Sequence, residues 1–230
     1  MMNAVRGALI VATFGLSAAA VAAELDTPEK KTSYMIGMDF GDTLKQLDEP
    51  LDMDVLMEAM RAFYEGQELQ MTAEEADVIR REFFARRQAK AAAAQRQLAE
   101  DNRLEAEAFL AANAQAEGVQ VTESGLQYKV HTPGDGPRPA PTDEVTVHYR
   151  GSLLDGTEFD SSFARNQPMS FRLNRVISGW TEGLSLMPVG SKYTFWIPPA
   201  LGYGESGSGK MIPPNALLVF EVELLSINTQ

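Results

Sequence analysis

Three sets of residues in this chain have types and spacings that could do chemistry. The first is glycine-rich. Gly202-Tyr203-Gly204-Glu205-Ser206-Gly207 has the GxGxxG spacing of dinucleotide sites, and Gly204 to Gly209-Lys210 matches the opening of a P-loop. Either motif needs a helix directly after it, whose N-terminus receives the phosphate. Ile212-Pro213-Pro214 forbids that helix, and Met211 stands where a P-loop carries the Ser or Thr that meets magnesium. The stretch is expected to be a flexible loop. The second set is the two histidines, His131 and His148. They have no cysteine companions and no metal-ligand spacing such as HExxH, so no metal site is expected. No Ser/His/Asp arrangement is signalled, and His148 falls mid-strand, where a structural role is expected. The third set is aromatic, Tyr149, Phe159 beside the carboxylate of Asp160, Trp180, Tyr203 and Phe220, and no spacing of their own ties these residues together. Taken one at a time, each of these is better read as ordinary core.

The elements that would position the third set are β-rich. Leu126, Tyr128 and Val130 alternate, as do Val145, Val147 and Tyr149, then Tyr193, Phe195 and Ile197, then Leu218, Phe220, Val222 and Leu224. Val147 to Ser162 reads as a hairpin turning at Asp155-Gly156, whose second arm delivers Phe159 and Asp160. Pro133 to Pro137 is a further turn, and Ile177 to Met187 the one short helix. The region from Gly118 onward is therefore expected to be a small α+β domain, an antiparallel sheet with one helix packed on its face.

The N-terminal half is helical. Thr27-Pro28-Glu29 looks like an N-cap with Pro at the first helical position, and Asp52 caps a second helix that Gly66 can stop. Apolar residues recur at helical spacing (Tyr34, Met38, Phe40, Leu44; then Val55, Leu56, Met60, Phe63). Two such helices cannot enclose a core alone. The expected partner is a second copy of the chain, giving a homodimer through residues 24–70 in which the Met-rich faces are core. Thr72-Ala73-Glu74-Glu75 is a capping box that opens a third helix, and no Pro or Gly follows before Gly118. A helix over 73–115 would be about 65 Å long. From Ala85 to Gln97 it contains only Ala, Arg, Gln and Lys, the composition of a solvated stalk.

Composition narrows the function. The formal charge is −12, from 20 Lys+Arg against 32 Asp+Glu, so a nucleic-acid partner is not expected. Arg6, an apolar run from Ala8 to Phe14, and small residues to Ala23 read as a secretory signal over residues 1–23, cut after Ala22 or Ala23. Its loss takes the charge to −13, and no later stretch could span a bilayer. There is no cysteine, hence no disulfide.

The ordered set Phe159-Asp160, Val176-Ile177-Ser178-Gly179-Trp180, Leu201-Gly202-Tyr203-Gly204, Ile212-Pro213-Pro214-Asn215 and Leu217 to Leu225 resembles the FKBP-type peptidyl-prolyl cis/trans isomerases. With the helical arm, the stalk and the junction Ser124 to Val130, the whole resembles the Mip (macrophage infectivity potentiator)/FkpA group of exported bacterial isomerases. The resemblance implies the boundaries 24–70 for a dimerisation arm, 71–117 for a connecting helix and 118–230 for the isomerase domain. It implies Asp160, Trp180, Tyr203 and Phe220 as catalytic residues. Tyr149, Phe159, Arg165, Val176, Ile177, Met169, Met211 and Ile212 would bind substrate. In these roles Trp180 is the platform under the proline ring, Tyr203 donates to a substrate carbonyl, the Ile177 amide holds the chain, and Arg165 orients Asp160. Met169, where many family members carry an aromatic, would soften one wall, and Ser208 stands in the loop over the pocket. No cofactor is implied. Expected partners are proline-containing peptides and unfolded exported proteins, with rapamycin-type macrolides as inhibitors and chaperone activity beside turnover. The expected location is the periplasm, with the outer-membrane surface or the medium as alternatives. Rival readings are a non-catalytic binding module and a host-interaction factor.

Overall fold

The chain begins its ordered path with helices whose ends are written locally. In the computed structural model, which describes residues 24–228, α1 spans Pro28–Gln46 and α2 spans Met53–Glu65. The proposed signal segment lies outside the described residues. Thr27 caps α1 by accepting from the Lys30 amide at 3.2 Å, and Asp52 caps α2 by accepting from the amides of Asp54 and Val55. Gly66 ends α2 at φ 68°, the left-handed turn that glycine takes without penalty. Neither helix buries a residue within the chain. The Met-rich faces expected as core stay exposed in the single chain, with Phe63 at 77% and Tyr64 at 92% exposure.

The third helix, α3, runs Ala73–Asn113, 41 residues and about 60 Å. It ends two residues short of the expected limit. Between Ala85 and Gln97 every residue but Arg87 is exposed, as a solvated stalk requires. Its C-terminal third is different: Ala106 is buried, and the Leu110 carbonyl accepts from Gln127 Nε2 at 2.8 Å. The chain forms two units, one ending at Thr72 and one starting at Ala73, so α3 belongs with the sheet that follows it. No helix among the described residues is long and apolar enough to cross a membrane.

The sheet comprises β1 (Val119–Val121), β2 (Gln127–Thr132), β3 (Glu144–Leu153), β4 (Glu158–Ser161), β5 (Met169–Arg172), β6 (Lys192–Ile197) and β7 (Leu218–Asn228). The strand order is β1-β2-β6-β7-β3-β4, with β5 also paired to β3, and every pairing is antiparallel. The alternating residues named above form the inward face: Val145, Val147, Tyr149, Tyr193, Phe195, Ile197, Leu218, Phe220, Val222 and Leu224 are all buried. The helix α4 (Ser178–Leu186) is one residue shorter at each end than the sequence suggests and packs on this face. Two glycines make the approach possible. A Cβ on Gly179 would stand 2.5 Å from Ile197 Cγ2, and one on Gly183 would stand 2.7 Å from Phe195 Cε1. The helix therefore sits close enough to lower Trp180 into the core.

Candidate active site

Trp180 lies in the first turn of α4 and is 5% exposed. Three rings meet it edge-on: Tyr149 from β3 at 5.1 Å, Phe171 from β5 at 5.3 Å and Phe220 from β7 at 5.1 Å. Edge-to-face contact is the favourable arrangement for aromatic quadrupoles, so the box is rigid as well as apolar. Phe159, from β4, extends the wall through Phe220 at 5.5 Å. The box leaves the indole Nε1 buried, with no hydrogen-bond partner among the described residues. Gly151, on β3, opens space for the two phenylalanines. A Cβ there would stand 2.6 Å from Phe220 Cε1 and 2.7 Å from Phe159 Cε2. Gly151 belongs to the hairpin pattern, but its type and spacing alone assign it no role.

One wall carries charge. The Tyr149 hydroxyl donates to Asp160 Oδ2, Arg165 Nη1 donates to Asp160 Oδ1 at 2.6 Å, and Arg165 Nη2 donates back to the Tyr149 hydroxyl at 3.0 Å. The three groups close a ring of hydrogen bonds. Partial burial pushes the Asp160 carboxyl up, but the Tyr149 hydroxyl and the Arg165 guanidinium together outweigh it and hold it below the usual carboxylate value. Burial first, and then the bond to Asp160, push the Tyr149 phenol up to about 12. Asp160 is therefore an ionised acceptor whose charge is already neutralised. It is poorly suited to proton transfer at neutral pH and well suited to fixing a polar edge.

Trp180, the rings around it and Asp160 line an open cavity of about 640 Å³. Of the twelve residues singled out from sequence, ten line it: Tyr149, Phe159, Asp160, Val176, Ile177, Trp180, Tyr203, Met211, Ile212 and Phe220. Arg165 does not line it and instead grips Asp160 from behind. Met169 does not line it either. It pairs with Val147 and packs on the core, while Phe171, two residues along the same face of β5, supplies an aromatic wall. The expected soft wall is thus aromatic. Phe171 could have been found by applying period-2 alternation from Met169, which the resemblance had already singled out. Arg175 and Ser208 also line the cavity. Arg175 carries no sequence signal beyond its place beside Val176. Ile177 stands at the N-cap of α4 with no side-chain cap, which leaves the first-turn amides without a side-chain acceptor. Tyr203, 40% exposed, has no hydrogen bond to its hydroxyl among the described residues.

The other sets do not join this site. His148 Nδ1 bonds Ser162 Oγ at 2.8 Å and its ring stacks on Phe163, and His131 Nε2 bonds Thr194 Oγ1 at 2.8 Å. Among the described residues no group of three or more His, Cys, Asp or Glu could hold a metal. The glycine-rich stretch forms a 3-10 turn at Gly204–Ser206 and a loop closed by a Ser208–Ile212 bridge, with no helix after it.

Comparison with known proteins decides the family. Residues 136–225 match the family model of the FKBP-type peptidyl-prolyl cis-trans isomerase, and residues 29–130 match that of the domain amino terminal to it. The chain belongs to the FKBP-type peptidyl-prolyl cis-trans isomerases. It is similar to the FKBP-type 22 kDa peptidyl-prolyl cis-trans isomerase of Escherichia coli, at 46% identity over 88% of this chain and 97% of that one. It is also similar to the outer membrane protein MIP of Legionella longbeachae, at 40% identity over 91% and 90%. The crystal structure of FkpA from Escherichia coli superposes with a TM-score of 0.76 and 35% identity, covering 88% of this chain and 98% of that one. This FKBP-type chain is accordingly an enzyme, a peptidyl-prolyl cis-trans isomerase, and its helices followed by an antiparallel sheet match the FkpA structure.

Proposed function

We propose that the Trp180 cavity is where this isomerase turns over proline-containing chains, and that it does so without covalent chemistry. The observation that carries this reading is the rigid aromatic box over Trp180 with one neutralised carboxylate at its edge. Rotation about an X-Pro bond costs about 18–20 kcal/mol because amide resonance is lost, and uncatalysed exchange takes on the order of 10–100 s. The twisted amide is less charge-separated than the planar one, so water favours the planar ground state. An apolar cavity removes that preference, and tighter binding of the twisted form lowers the barrier. Trp180 supports the pyrrolidine ring, and Phe159, Phe171 and Phe220 enclose it. The Tyr203 hydroxyl and the Ile177 amide donate to substrate carbonyls. Asp160, oriented by Tyr149 and Arg165, faces the carbonyl that rotates. The test is the cis-to-trans rate of a short X-Pro peptide with and without rapamycin. Acceleration that rapamycin abolishes, and that Trp180→Ala removes, supports the assignment; full turnover by Trp180→Ala overturns it.

The same reading extends to the helical arm. Exposed Tyr34, Met38, Phe40, Val55, Met60 and Phe63 on α1 and α2 support a homodimer through residues 24–70, joined by the 71–117 helix to an isomerase domain over 118–230. Two linked cavities raise the effective concentration of the second for a chain held by the first, which suits a chaperone for unfolded exported proteins. The segment before Glu24 supports export to the periplasm. The relative named as an outer membrane protein makes the cell surface the alternative. Fractionation of the exporting cell separates the two.

A further inference from the structure

The cavity's open wall hangs on one loop, residues 202–216, which carries Tyr203, Ser208, Met211 and Ile212. Internal backbone bonds shape it, among them the pair that Ser208 and Ile212 exchange at 2.8 and 3.1 Å and the bond from the Asn215 amide to the Gly204 carbonyl at 2.8 Å. These bonds fix the loop's form but not its place. Ile212, buried in the core, seats it on the sheet domain, and α3 adds two side-chain bonds to it. Asn102 Nδ2 donates to the Pro214 carbonyl at 2.7 Å, and Asn215 Nδ2 donates to the Ala99 carbonyl at 3.1 Å. The two amides thus tie helix and loop reciprocally, each side chain reaching the other's backbone. Asn215 holds φ 53°, a left-handed conformation that asparagine tolerates better than most residues. Apolar packing does not do this work alone. Between helix and loop lies a cavity of about 250 Å³, bordered by Leu98, Ala106, Pro213, Ala216 and Leu217 as well as Asn102.

We propose that Asn102 and Asn215 are positioning residues for the isomerase reaction: they brace the Tyr203–Ile212 wall against the end of α3. The proposal rests on the Trp180 cavity being the site of turnover. A plain docking contact would be an equal candidate were there no second clamp for comparison. There is one: Asn113 Nδ2 donates to Gln127 Oε1 at 2.9 Å, and Gln127 Nε2 donates to the Leu110 carbonyl. That clamp also fixes α3 to the sheet but touches no part of the 202–216 loop.

The test uses the full chain with Asn102→Ala, Asn215→Gly (which keeps the left-handed backbone accessible), Asn113→Ala and Trp180→Ala. Steady-state peptide isomerisation and amide hydrogen exchange over 203–216 are measured. Loss of one such bond at a wall that touches bound chain corresponds to about three- to tenfold in kcat/KM. The wall grips planar and twisted forms alike, so the change should fall on KM with kcat largely kept. Asn102→Ala and Asn215→Gly should both show it, with faster exchange over 203–216, while Asn113→Ala shows neither. Unchanged kinetics in Asn102→Ala overturn the proposal, and so does an equal KM rise in Asn113→Ala, which would mean that helix docking in general is being sensed. Trp180→Ala separates the two levels. If it abolishes turnover while Asn102→Ala does nothing, only the brace is wrong. If it too is inert, the cavity assignment falls and the brace with it.

Discussion

Gly151→Ala is the most direct probe of the aromatic box. The added Cβ would stand 2.6 Å from Phe220 Cε1 and 2.7 Å from Phe159 Cε2, where ordinary contact begins at 3.4 Å. Each ring must retreat by about 0.8 Å, and Phe220 is packed against Trp180 and Tyr149 and cannot retreat freely. Overpacking of this kind costs about 1–3 kcal/mol of stability. A displacement near 1 Å in a positioning group costs up to about 100-fold in rate. We therefore expect kcat/KM for a short X-Pro peptide to fall by about 10- to 100-fold, with the fold retained by circular dichroism and Tm lowered by several degrees. Gly151 does not occupy the left-handed region, so backbone strain does not confuse the result. Gly156→Ala is the complementary control. Gly156 has φ 87°, and a Cβ there would meet nothing within 4 Å, so the variant should lose stability and keep turnover. A folded Gly151→Ala protein with undiminished kcat/KM would refute the argument that these two rings form the working wall.

Trp180→Ala should abolish turnover and lower stability by about 3–5 kcal/mol, as large core truncations do, read by peptide kinetics and urea unfolding. The pH dependence follows from the bonded ring at Asp160. Because its folded pKa lies below the unfolded value near 3.8, the stability it lends is present above that value and lost as pH falls through the lower folded pKa. For Tyr149 the order reverses: the contribution is complete below the unfolded value of 10.0 and is lost as pH rises through about 12. Turnover should then be flat between about pH 5 and 9, where neither group titrates. Arg165→Ala should move the acid limb of the stability profile upward, a shift measurable by thermal melts across pH. Phe63→Glu, placing charge on a side chain 77% exposed in the single chain, should yield a monomer by sedimentation with peptide turnover unchanged and protection of an unfolded protein reduced. A dimer that survives the substitution would place the contact elsewhere on the arm.

Sequence alone makes legible whatever is encoded locally or by strict alternation. Thr27, Asp52 and Gly66 set helix ends through bonds within three or four residues, so their types alone announce them. Phe159, Asp160, Trp180 and Phe220 are legible because they stand inside an ordered pattern of glycines, prolines and aromatics. Met169 and Phe171 share one face of β5, and only the packing of α4 decides which of them reaches Trp180. Arg175 reaches the cavity through the turn before α4 and has no pattern of its own. The bond from Asn102 to Pro214 joins residues 112 apart, a distance that neither periodicity nor motif spans.

The bare middle of α3 has a consequence for how such chains diversify. Between Ala85 and Ala91 no side chain is buried, and the cavity that α3 shares with Glu205 and Asn215 begins only at Ala92, so that stretch is free of the packing that ties most sequence to structure. Removing seven residues there would shorten the helix by about 10 Å while rotating its docked end by only about 20°. The separation between the start of α3 and its docked end is therefore an adjustable ruler. It can be reset by insertion or deletion in one segment, with the Trp180 cavity left untouched.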